Sequence, residues 1–209
     1  NNLANDANNQ DFERLQRLIE RLNLSPNFAD LIKDWIDADQ IVSGLGAEDL
    51  AYQVKQPPHL AANQTMRDLS ELNLLIDVSN EDIQTLTGQV CVLPDTQSKI
   101  NVNTADALTL SMLDPGIAVG EAEALVDQFR NYQNVTDFVS ANPAFLGVQS
   151  KLSVTSEYFL MQAQAQLSQS RVSLTSLFRR DLSNGQVTLL QRDFGKTFRA
   201  NAKADSDSI

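Results

Sequence analysis

The chain has little of what most catalytic and metal chemistry depends on. Its 209 residues include one cysteine, Cys91, and one histidine, His59. A single thiol forms no internal disulfide, and by residue type alone Cys91 reads as a small buried hydrophobe. Any Ser-His-Asp or Cys-His arrangement would hang on His59, which follows Pro57-Pro58 in a loop. Zinc, which favours nitrogen and sulfur ligands, would have only these two residues. No apolar run approaches the roughly 20 residues that cross a bilayer. Neither a signal peptide nor a glycine-rich phosphate loop is visible. Positive charge is scarce as well: 16 Lys and Arg stand against 27 Asp and Glu, a net charge of -11. That balance excludes a general nucleic-acid binder, which needs a basic face to displace counterions from phosphate. It suits divalent cations or a basic partner. The chain opens on Asn1-Asn2-Leu3 rather than Met, so a preceding N-terminal piece is expected, and localisation is not read from the missing signal.

What is present is ordinary globular material. Hydrophobic residues make up 42%, enough for one large domain or two small ones. Phe12, Leu15, Leu18, Ile19 and Leu22 fall at helical spacing and predict a helix from Asp11 to Leu22. Ser25 and Pro26 then open a second helix, about Asn27 to Ala38, with Phe28, Leu31, Ile32 and Trp35 as its stripe. A loop punctuated by Gly44 and Gly46 follows, and Glu48 to Gln53 reads as a helical turn. Short helices are expected at Asp68–Leu75 and Asn80–Leu86. Thr104 caps a helix to about Leu113; another runs from Gly120 to Asn131, and a last one begins at Val135. Near Ser150 the period changes to two. Val172, Leu174, Ser176 and Phe178 alternate, and Asn184-Gly185 signals a hairpin before Val187–Gln191. Helices first and strands last give an α+β chain. The tail from Ala200 reads as disordered.

Asp34, Asp37, Asp39, Glu48 and Asp49 surround the glycine loop. Oxygen ligands in a loop at a helix end suit calcium, which takes six to eight of them. Asp37, Asp39 and Glu48 occupy the first, third and twelfth positions of an EF-hand frame. Ile41 then replaces the fifth-position ligand and Val42 the turn glycine, so the frame fails. The spacing leaves two readings open: a solvated acidic surface with helix capping by Asp37 or Asp39, or another calcium geometry.

Leu113 to Ala122 resembles a helix-hairpin-helix, and Ile100-Asn101-Val102-Asn103-Thr104-Ala105 strengthens the likeness to the hairpin modules of DNA-uptake proteins. The charges favour structural use of the hairpin. Glu121 and Glu123 begin its second helix, Ala118 stands where such modules carry glycine, and Lys99 and Arg130 are the only nearby cations. A DNA-binding hairpin module is the runner-up function.

Several segments in order resemble one family, the K-type minor pseudopilins of bacterial type II secretion. They are Asp34-Trp35-Ile36-Asp37-Ala38-Asp39, Gly46-Ala47-Glu48-Asp49 with Tyr52, Pro57-Pro58, Ala62-Asn63, Ser70-Glu71-Leu72, Cys91-Val92-Leu93-Pro94 and Ile100 to Ala105. The resemblance implies a helical insertion of two small helix-hairpin or SAM-like bundles, followed by a pilin-like antiparallel β-meander. On that plan residues 1–4 end a pilin-domain strand, and 5–93 form a first helical subdomain with the acidic loop. Residues 94–149 form a second, 150–197 the strands and 198–209 a disordered tail. The resemblance also implies one or two structural calcium ions on Asp37, Asp39, Glu48 and Asp49, with Asp34 at the edge of the set. It implies a cysteine upstream of Asn1 that pairs with Cys91. It implies no catalysis and no nucleic acid. The expected protein is a periplasmic ectodomain anchored in the inner membrane by a helix outside this chain. It would initiate and cap the pseudopilus tip with I-type and J-type partners, in contact with secreted substrates or the outer-membrane channel.

Overall fold

The computed structural model describes residues 1–5, 9–168 and 170–194. The proposed tail at 198–209 lies outside them. The chain divides into two compact units, Asn1–Val154 and Thr155–Ile209.

The first unit is helical and is built on two apolar clusters. Helices α1 (Gln10–Arg21) and α2 (Phe28–Ile36) supply the first, because their apolar residues recur at helical spacing. Leu18, Ile19, Phe28, Leu31, Ile32 and Trp35 are buried there with Tyr52 of α3 (Asp49–Gln53). A 3₁₀ helix at Leu69–Leu74 begins with a capping box between Asp68 and Glu71, and α4 (Asn80–Thr87) is capped by Ser79. Together they add Leu72, Ile83 and Leu86.

The expected strand end at residues 1–4 is instead a 3₁₀ helix at Asn2–Asn5. Side-chain bonds, not strand pairing, hold this start: Asn1 Nδ2 donates to the carbonyls of Met66 (2.9 Å) and Leu93 (2.7 Å).

The second cluster gathers Val102, Leu110, Leu113, Ile117, Leu125, Phe138 and Phe145. It is built from α5 (Ala107–Ser111), α6 (Val119–Val126), α7 (Val135–Ala141) and a 3₁₀ helix at Pro143–Lys151. Tyr132, Phe138 and Phe145 meet edge to face, at 5.1 and 5.0 Å between centroids. Asp106, not Thr104, caps α5, accepting from the Thr109 N–H. A short parallel pair, β1 (Ile100–Asn101) with β2 (Leu152–Ser153), closes the segment. That pairing carries the helical unit past the expected boundary at 150. The Asn-Val-Asn string has a structural use: Asn103 Nδ2 donates to the carbonyls of Tyr132 and Val154, and its Oδ1 accepts the Tyr132 N–H.

A row of arginines on α1 ties the clusters together. Arg14 Nε donates to the Leu113 carbonyl (3.1 Å) and Arg17 Nε to that of Met112 (2.9 Å), while Arg21 reaches Ser111 Oγ. Asp11 holds Arg14 at 2.6 Å and Lys151 at 2.7 Å. These contacts satisfy and neutralise the carboxyl end of α5.

The second unit is the expected antiparallel meander, β3 (Tyr158–Leu167), β4 (Ser170–Arg180) and β5 (Val187–Asp193), in that order. Pairing of β3 and β4 runs without interruption from Tyr158↔Arg179 to Leu167↔Ser170. A bulge at Leu177/Phe178 interrupts β4–β5. The hairpin turn is longer than the two residues Asn184-Gly185: it spans Asp181 to Gln186, with Asp181 Oδ1 accepting the Ser183 N–H. Gly185 takes the left-handed backbone, at φ +76°.

Candidate functional site

The acidic loop is folded onto one side of α2. Asp30 and Asp34 stand four residues apart on that helix, hence on one face, and each receives main-chain N–H groups from the returning loop. Leu45 N–H donates to Asp30 Oδ2 (2.8 Å), and Ser43 N–H to both oxygens of Asp34 (3.1 and 3.2 Å). The approach is close enough to require glycine. A Cβ on Gly46 would stand 2.1 Å from Asp34 Oδ2, and one on Gly44, at φ +49°, would stand 2.4 Å from Asp30 Oδ2.

This wrapping brings three carboxylates together. Asp34, fully buried, Asp37 at the end of α2 and Glu48 just before α3 each place an oxygen within 4.8 Å of the others. Both oxygens of Glu48 and Oδ1 of Asp37 are buried without a hydrogen-bond partner among the described residues. Burial pushes the Glu48 carboxyl up to about 7, helped by Asp34 and Asp37 and then by Asp39 and Asp49. Burial, then Asp39 and Asp34, pushes Asp37 up to about 6. Asp34 also rises through burial, offset in part by its bonds from Ser43. Clustered like charges in a desolvated site favour protonation unless a cation compensates them.

Asp39 and Asp49 lie outside the trio. Asp39 Oδ1 accepts the Ile41 N–H (2.8 Å), turning the chain, and Asp49 Oδ1 accepts the Ala61 N–H (3.0 Å). Spacing could not assign these partners. The central place of Asp34 did leave a signal, since a carboxylate three residues from Leu31 and beside Trp35 sits on the apolar stripe of its helix. Trp35 is itself fixed from the other side, its Nε1 donating to Glu71 Oε2 (3.0 Å). The roles of Asp30, Ser43 and the two glycines were not read from the sequence.

The donor set is all oxygen, the chemistry of a hard divalent cation, with main-chain carbonyls and water free to complete the shell. The orphaned oxygens of Glu48 and Asp37 fit such an ion: it would supply the positive charge they lack. Nitrogen and sulfur are placed elsewhere. His59 lies against Tyr52, at 5.2 Å between centroids, with its ring nitrogens 3.1 Å from the carbonyls of Pro57 and Leu74. Cys91 is exposed.

The hairpin of α5 and α6 gives phosphate little to bind. The Gly116 N–H is taken by Asp114 Oδ1 (2.8 Å), and Arg130 Nη1 donates inward to the Val102 carbonyl (2.7 Å). Leu110, Leu113, Ile117, Ala122 and Leu125 turn it into the second cluster. No helix among the described residues is long and apolar enough to cross a membrane.

Comparison with known proteins agrees with this architecture. Two models described as type II secretion system (T2SS), protein K, match residues 1–95 and 100–159, most of the chain. The type II secretion system protein K of Pseudomonas aeruginosa is 32% identical over 197 residues, 88% of this chain and 57% of that protein. Its counterpart in Pectobacterium carotovorum is 30% identical over 191 residues, 87% of this chain and 58% of the relative. The chain thus spans little more than half the length of these relatives. Among solved structures, the GspK-GspI-GspJ complex from the enterotoxigenic Escherichia coli type 2 secretion system contains a similar chain. It is 26% identical, with a TM-score of 0.76, covering 89% of this chain and 70% of that one. With motif order, fold and these similarities in agreement, the chain belongs to the type II secretion system protein K family.

Proposed function

We propose that this chain is the periplasmic part of a minor pseudopilin that initiates and caps the type II secretion pseudopilus, in company with I-type and J-type minor pseudopilins. The observation that carries this reading is the likeness, over 89% of the chain, to a chain solved within a GspK-GspI-GspJ complex. The role is one of assembly, not catalysis. A helix outside this chain would anchor the whole protein in the inner membrane. The bulk of the helical unit would prevent a further subunit from being added above it and would leave it facing secreted substrates or the outer-membrane channel. Co-purification of the chain with I-type and J-type partners in calcium is the test. A stable complex is expected; no complex with either partner overturns the reading.

The helical unit is held by calcium in the same proposal. Asp34, Asp37 and Glu48 would bind the ion, which would neutralise their charge and fix a loop with few buried apolar residues of its own. The three converging carboxylates and the unpartnered oxygens of Glu48 support this. Elemental analysis after dialysis reads the site directly: bound calcium is expected, and its absence, with an unfolding midpoint that calcium does not move, removes the ion.

Cys91 would pair with a half-cystine just before Asn1. The bond from Asn1 to the Leu93 carbonyl, two residues past Cys91, supports that reach. The mass of the full-length protein under non-reducing conditions tests it, because a free thiol at Cys91 would be alkylated and a disulfide would not.

A further inference from the structure

We propose that the aliphatic side chains raised on the acidic loop and on α3 form a docking surface. Its occupant is a protein segment that is apolar at its centre and carries lysine or arginine at its edges. Ile41, Val42 and Leu45 are 73%, 54% and 68% exposed, and Leu50 and Val54 are 81% and 79% exposed. Isolated exposed apolar residues are common and need no explanation, but a contiguous group marks an interaction site. Here five fall within one short stretch. The N–H groups of Ser43 and Leu45 are held by Asp34 and Asp30 of α2, and that of Ile41 by Asp39 within the loop's own turn, while the side chains of Ile41, Val42 and Leu45 stand in solvent. On α3, Tyr52 faces the core. Leu50 and Val54, one turn apart, share a different face.

The charge around this group selects its partner. No lysine or arginine occurs from residue 34 to residue 54, while Asp39 and Asp49 lie beside the aliphatic residues in the chain. A second copy of the chain would bring the same negative border and be repelled. An anionic lipid surface would be repelled likewise. A segment with aliphatic residues flanked by basic ones matches both the apolar centre and the acidic rim. The trio Asp34, Asp37 and Glu48 is not part of the contact, so this surface and the cation site stand or fall separately.

The test uses the 209-residue chain in calcium buffer and a fluorescein-labelled amphipathic peptide of leucine and lysine. A peptide of equal length and charge, with serine for leucine, is the control. Anisotropy should give roughly tenfold or tighter binding of the leucine peptide over the serine one, with affinity falling as salt is raised. The double variant Leu50→Ser/Val54→Ser should lose most of that preference, whereas Phe129→Ser, at a site 93% exposed, should keep it. Amide shift changes on peptide addition should centre on residues 41–54. Equal affinity for the two peptides overturns the proposal. So does an equal loss in Phe129→Ser, or binding to phosphatidylcholine vesicles in place of the peptide. If the double variant lowers the unfolding midpoint, Ile41→Ser/Val42→Ser makes the same comparison on the loop.

Discussion

The two units hold themselves together by different means. Every buried apolar side chain among the described residues belongs to the helical unit, from Leu18 to Leu152. In the sheet the buried residues are Thr175 and Ser176, whose hydroxyls have no partner among the described residues. Phe159, Leu160, Val187 and Leu189 of its strands are exposed. The helical unit is thus a packed interior stabilised by apolar burial, and the sheet is a ladder of main-chain bonds with little apolar burial of its own. Three strands become independently stable when one face is covered by apolar contact. The stability of the chain is therefore expected to reside in its first 154 residues.

Truncation of a core aromatic gives the largest effect and the sharpest contrast. Phe138→Ala should cost about 3–5 kcal/mol, whereas Phe159→Ala in β3 should cost less than about 1 kcal/mol. Urea unfolding followed by circular dichroism measures both; similar losses would abolish the distinction between the units. Next comes calcium, which should act on the helical unit alone. At about a hundredfold excess over its dissociation constant it should add about 2.7 kcal/mol, raising the unfolding midpoint by about 5–10 °C. Asp37→Ala and Glu48→Ala should each remove most of that rise in calorimetry. Hydrogen exchange should gain protection around α2 and α3 and leave β3 to β5 unchanged.

Gly46→Ala should destabilise the helical unit by about 1–3 kcal/mol, because its Cβ would displace the Asp34 carboxylate. The same change at Gly185 has open space, and its cost is confined to the left-handed backbone, about 1 kcal/mol. Acidity acts on the same cluster. Folded Asp37 and Glu48 hold protons up to about 6 and about 7, above their ordinary values of 3.8 and 4.5. The unfolded chain releases those protons earlier, so without a cation stability should fall as pH rises through that interval. Calcium should flatten the decline. Urea midpoints across the interval, with chelator and with calcium, measure this, and a rise with pH in chelator would contradict the cluster.

The sequence carried the helices well because their apolar residues repeat on one face. Phe28, Leu31, Ile32 and Trp35 located α2, and Val172 to Phe178 located β4. Ends were less legible. Asp106 rather than Thr104 caps α5, since either residue type accepts a main-chain N–H and only the local backbone decides. Within the acidic loop, composition identified the segment but not the division of labour. Asp39 and Asp49 have the same chemistry as Asp37 and Glu48, and the difference lies in which main-chain N–H groups the fold brings near them. The first residues were misread for a related reason: Asn1 engages Met66 and Leu93, contacts that no local pattern announces.

The arginine row on α1 bears on how such a chain tolerates change over time. Arg14 and Arg17 address main-chain carbonyls at 112 and 113, atoms that every amino acid possesses. Those bonds are indifferent to which side chains follow Ser111, so substitutions there register only through packing. A shift in frame is another matter: one residue inserted or deleted in α5 would carry the carbonyls away from the guanidinium groups. The joint between the two helical clusters is therefore robust to drift in identity and brittle to drift in length.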